Sequence, residues 1–100
     1  MQATLFLAPR EVMVDVYFTR NIKTLVDQHF AAYEKAGVIE VSSSKDELDA
    51  CEEWFELTNN PFRQEEREEK YGRGRSVSVG DIVQVGENAY VCASCGWERL

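Results

Sequence analysis

Residues 82–93 read Ile-Val-Gln-Val-Gly-Glu-Asn-Ala-Tyr-Val-Cys-Ala. Two β-prone runs flank Gly86-Glu87-Asn88, the signature of a hairpin with a turn of about three to four residues. Upstream, Ser76-Val77-Ser78-Val79 alternates and ends at Gly80-Asp81, which reads as a bend. Downstream, Gly96-Trp97 makes a second bend before Trp97-Glu98-Arg99-Leu100. The C-terminal part of the chain is therefore expected to be β-rich.

The remainder divides by its apolar period. Thr4–Ala8 is a short apolar run, broken at Pro9-Arg10-Glu11. Val12–Phe18 alternates, with Val12, Val14, Val16 and Phe18 on one side, and reads as a second strand. From Asn21 the spacing changes to three and four: Ile22, Leu25, Val26, His29, Phe30 and Tyr33 form the stripe of an amphipathic helix, with Gly37 as its C-terminal cap. Residues 38–41 read as a short strand or extended link. Ser44 and Glu47 have capping-box spacing and open a helix over about 45–57, with an apolar stripe of Leu48, Cys51, Trp54 and Phe55. Asn60-Pro61 starts a third, short charged helix that runs to about Tyr71. A flexible Gly-Arg-Gly-Arg link is expected after it, so residues 63–75 form an exposed charged segment. The expected fold is one α+β domain over residues 1–100. A small, mainly antiparallel sheet is packed by two amphipathic helices, and the third helix is short and charged.

Composition narrows the function. The net charge is −7, with the acids concentrated in residues 1–57. Clustered positive charge is what phosphate binding requires, so general affinity for nucleic acid is not expected. No apolar run approaches the roughly 18 residues of a bilayer span, and the N-terminus lacks a signal-peptide pattern. A cytoplasmic protein is expected, with no membrane association. Three cysteines in that setting read as thiols.

The thiols raise the question of a metal or redox site. Cys92 and Cys95 form one CxxC pair; the other candidate ligands are Cys51 and His29. A Cys₃His site is arithmetically possible. However, Cys51 and His29 sit on predicted apolar stripes, and positions 92 and 95 point to opposite faces of a continuing strand. Packing is the expected role, with no metal and no cofactor. A Cys–His nucleophile is disfavoured by Glu52 and Glu53 beside Cys51, since like charge opposes a thiolate. The carboxylates are numerous but unmarked by burial, and Gly-Arg-Gly-Arg lacks the strand and Lys-Ser/Thr of a phosphate loop. A non-enzymatic protein is expected.

One surface has direction. Residues 46–56 hold Asp46, Glu47, Asp49, Glu52, Glu53 and Glu56 and no base. Asp46, Asp49, Glu53 and Glu56 follow helical spacing and line one side. Such a row keeps the back of a helix solvated, and it also suits docking of a basic protein. The candidate partner-binding set is Asp46, Asp49, Glu52, Glu53 and Glu56. The alternative is a nucleic-acid-associated protein that reads phosphate through Arg63, Arg67, Arg73 and Arg75.

The C-terminal segment Gly72-Arg73-Gly74-Arg75 through Leu100, with Leu48–Asn60 upstream, resembles small accessory proteins of plasmids and phages, including the YodL-like group. The resemblance covers roughly residues 48–100. It rests on Ser76, Ser78, Val79, Gly80, Asp81, Tyr90, Gly96 and Trp97. It implies an accessory gene of a mobile element and names no catalytic residue. It also implies that the position of Cys95 is often aromatic, which makes the CxxC spacing incidental. The combined expectation is an accessory protein of a phage or plasmid that binds a basic host or element-encoded protein. An anti-CRISPR-like counter-defence inhibitor is one concrete form.

Overall fold

A computed structural model describes residues 1–100. The chain is α+β. Strand β1 (Gln2–Leu7) leads into helices α1 (Arg10–Asp15) and α2 (Ile22–His29), then edge strand β2 (Glu34–Glu40). Helix α3 (Glu47–Asn59) and α4 (Gln64–Lys70) follow, and strands β3 (Ile82–Val85), β4 (Asn88–Ala93) and β5 (Gly96–Arg99) end the chain. The sheet order is β2-β1-β3-β4-β5, with every neighbouring pair antiparallel. No helix is long and apolar enough to cross a membrane.

Strand alternation gives each face of the sheet a helical cover. Ala3, Leu5, Ile39, Val83, Val85 and Tyr90 face α3, which buries Ala50, Cys51, Trp54 and Leu57 against them. On the opposite face Ile82 and Val91 meet Val26 of α2, with Phe6, Ile22 and Tyr33 packed around them. A separate cluster of Ala8, Val12, Val16 and Leu25 joins α1 to α2.

Four expectations are corrected. Residues 12–18 are not a strand: Arg10–Asp15 is helical and, with its C-cap Val16, buries Val12 and Val16, four apart, while Phe18 is 84% exposed. A short valine-rich run satisfies both periods, and Pro9 at the N-cap favours the helical start. The helix from Asn21 stops at His29, a 3₁₀ turn covers Phe30–Ala32, and Gly37 lies in β2 instead of capping a helix. A larger residue is disfavoured there, because an added Cβ would sit 3.1 Å from Cη2 of the buried Trp54 ring. The third correction concerns the start of α3. Its N-cap is Asp46, whose carboxylate accepts from the Asp49 amide at 2.8 Å while Asp49 accepts from the Asp46 amide at 3.2 Å. Ser44 instead bonds Ser42, and Leu48 is half-exposed rather than part of the buried stripe.

The fourth correction is the link after α4. It is anchored rather than flexible, and residues 76–79 form no strand. Arg75 lies against Asp81, whose side chain has no solvent exposure. The Asp81 carboxylate accepts from Arg75 Nη1 at 2.7 Å and Nη2 at 2.8 Å, from the Ala8 amide at 2.7 Å and from the Ser78 amide at 2.8 Å. A buried carboxylate is tolerated when its lone pairs are filled in this way. Gly80 makes the adjoining turn at φ 100°, and Val12 packs where its side chain would be.

Candidate functional site

The acidic row lies on the outer side of α3, but its members differ in what they do. Asp46 and Asp49 form the capping box, so they hold the helix end as well as facing solvent. Glu47 turns toward the sheet, where Tyr90 donates its hydroxyl to it at 2.5 Å and Asn88 its amide at 2.9 Å. Those two donors hold the Glu47 carboxyl below its ordinary range. Glu53 takes both Arg63 Nη groups at 2.8 Å, and hydrogen bonding from that guanidinium holds its carboxyl down. Arg63 Nε also reaches Glu66 at 2.7 Å, and Lys70 reaches Glu66 at 2.8 Å. Arg63 first, and Lys70 second, lower Glu66 to about 2.

Glu52 and Glu56 have no ion pair and are exposed; Glu56 has only a 3.5 Å contact from the Asn60 amide. These two, four residues apart, share one helix face. They line a groove of about 330 Å³ between α3 and the chain just after β2. Asp49, Glu53 and Glu40 also line it, and Lys45 is its one base. The structure thus brings together four of the five acids proposed for partner binding, Asp49, Glu52, Glu53 and Glu56. Asp46 is placed at the helix cap, outside the groove lining. Glu40 and Lys45 were not visible as members from the sequence, because their position depends on where β2 ends beside α3.

The arginines of the alternative site are separated and mostly occupied. Arg63 is held by Glu53 and Glu66, and Arg75 by Asp81. Arg67 donates to the Thr58 carbonyl at 2.6 Å, to the Ser76 hydroxyl at 2.9 Å and to the Gly74 carbonyl. Arg73 is exposed. Arg63 and Arg67 therefore fasten α3, α4 and the link to one another, and Arg75 fastens the link to the turn before β3.

The thiols do not converge with the histidine. Cys51 faces the sheet from α3, whereas His29 ends α2 on the opposite face. Cys51 and Cys92 are buried, and burial pushes both thiols up to about 12. Cys95 is exposed in the turn between β4 and β5. No group of three or more His, Cys, Asp or Glu side chains is arranged to hold a metal ion.

In comparisons with known proteins, no family model, no curated protein and no solved structure matches the chain.

Proposed function

We propose that this chain is a non-enzymatic accessory protein of a phage or plasmid that works by binding a basic host or element-encoded protein in the cytoplasm. The observation that carries the reading is the groove along α3, lined by Asp49, Glu52, Glu53 and Glu56 with Glu40 across from them and Lys45 as its one lining base. Arg63 holds Glu53 and the Met1 ammonium lies 3.8 Å from Glu40, which leaves Glu52 and Glu56 without an ion pair. Concentrated negative potential of this kind raises the encounter rate with a positive surface and repels polyanions. A counter-defence inhibitor that covers a nucleic-acid-binding surface is the concrete form that fits this charge pattern. The plasmid and phage resemblance of residues 48–100 supports the setting.

The test uses Glu52 and Glu56, because neither carries an ion pair in the fold. Capture from lysate of the bacterial host is compared between the parent chain and E52K/E56K. A protein retained by the parent and lost by the variant, with retention falling as salt rises, is the expected result. Equal retention by both overturns the reading.

A further inference from the structure

We propose that the partner enters as an extended basic segment that adds to the free edge of β2, so that its alternate side chains fall into the acidic groove. This proposal rests on the reading above and specifies how that surface is used.

The backbone carries the argument. β2 pairs with β1 alone and forms one edge of the sheet. The Met1 amine donates to the Val41 carbonyl at 2.7 Å, and the Val41 amide donates to the Met1 carbonyl at 2.8 Å. Residues 1 and 41 are thus a hydrogen-bonded pair. Antiparallel ladders alternate such pairs with unbonded ones. Ile39 with Ala3 and Gly37 with Leu5 continue the bonded series, whereas Val38 opposite Thr4 and Glu40 opposite Gln2 do not. The amide and carbonyl of Val38 and of Glu40 therefore point away from the sheet. Both residues are exposed. The register irregularity of this strand falls between Leu5 and Phe6, so residues 37–41 are a regular stretch of open edge.

The groove supplies the chemistry. Ile39 and Val41 project toward α3, one buried and one packed against the same core. A strand added about 4.8 Å outside β2 continues that alternation. Every second side chain then lies on the α3 side, along the groove that Asp49 and Glu56 line. Lys or Arg at those positions would meet carboxylates. A second copy of this chain is opposed instead: its β2 holds two acids, Glu34 and Glu40, against one base, Lys35, and the whole molecule carries −7. β5, at the far edge, is only four residues long, and its Arg99 is tied to Asn88 at 2.6 Å.

The probe is an acetylated, amidated eight-residue peptide alternating Lys and Thr, titrated into the full chain at low salt. Two further versions carry N-methyl groups on all Lys amides or on all Thr amides. N-methylation keeps the charge and removes backbone donors from one side of the strand. The expected result is binding of the parent peptide, with roughly tenfold or greater weakening in one methylated version and little change in the other. Val38→Pro, which removes an outward amide, is expected to weaken the parent peptide similarly while the circular dichroism spectrum is unchanged. Equal affinity for all three peptides overturns strand addition and leaves acidic docking standing. Absence of binding by the parent peptide also overturns strand addition, and the E52K/E56K capture then decides the docking reading separately.

Discussion

Arg75 and Asp81 form a two-pronged ion pair at 2.7 and 2.8 Å, with the carboxylate fully buried and the guanidinium partly exposed. Through it the segment after α4 is fixed to the turn that opens β3. The Ala8 amide, which also bonds Asp81, brings the end of β1 to the same point. Arg75→Ala would leave a buried negative charge without its counter-ion. A loss of about 3 kcal/mol is expected, a large share of the stability of a small domain. Adding Asp81→Asn should recover part of it, because the stranded charge is removed. Urea unfolding of the two variants checks this; an unchanged midpoint for Arg75→Ala contradicts the account.

The cysteines should divide cleanly by accessibility. At pH 8 a thiol reagent is expected to label one site, Cys95, in the folded chain and all three in denaturant, since Cys51 and Cys92 are buried. Rapid labelling of more than one thiol in the folded chain counts against the packing described.

The same two buried thiols predict alkaline instability. Their folded values lie at about 12, against roughly 8.5 in an unfolded chain. The unfolded state therefore releases these protons first. The contribution of these two thiols is complete below about pH 8.5 and is lost as pH rises toward 12. The acid limb has the opposite sign. Glu66 is held at about 2 by Arg63 and Lys70, so its contribution is present above an unfolded value of roughly 4.3 and is lost as pH falls toward 2. Melting curves across pH for the parent and for C51A/C92A check the alkaline limb, which should flatten in the variant.

The acids of α3 should separate into structural and free. Asp46→Ala removes the N-cap acceptor and is expected to cost about 1 kcal/mol. E52K/E56K should stay within about 0.5 kcal/mol of the parent, because neither side chain has an ion pair to lose. Comparable losses from both would mean that the groove acids also support the fold.

Gly37→Ala tests the contact under Trp54. The new Cβ would sit 3.1 Å from Trp54 Cη2 and 3.4 Å from Tyr71 Cδ1, between two rings that already meet edge to face at 5.2 Å. The Trp54 ring is fully buried and cannot yield freely, so a loss of about 1–2 kcal/mol is expected, with a shift in tryptophan fluorescence. An unperturbed spectrum and midpoint would contradict the packing.

Sequence pattern carried the parts of this fold that rest on local chemistry. The β3–β4 hairpin was legible, although its turn is the two residues Gly86-Glu87 and not three to four, since Asn88 pairs with Val85. The Asn60 side chain caps the Pro61 turn at 2.9 Å. Trp54 and Cys51 were legible as core from helical spacing. What failed depended on distant partners. Val12 and Val16 are buried only because α2 and Gly80 lie against them, and no spacing within 12–18 shows that. Gly37 looked like a helix end because the ring it accommodates is 17 residues further on. The acidic row was visible as a row. Its division into capping, ion-paired and free members was not, because Arg63 reaches Glu53 only after the chain has turned at Asn60.

The sheet order has a consequence for synthesis. β1 lies between β2 and β3, and Ala3 is paired on one side with Ile39 and on the other with Val85. During translation β1 therefore leaves the ribosome long before its second neighbour exists. Until β3 and β4 emerge, one flank of β1 and the part of α3 that meets Val83, Val85 and Tyr90 lie bare. Such distant pairings slow folding and prolong the exposure of sticky intermediates. A pulse of chaperone dependence ending as the last strands emerge would follow from that order alone.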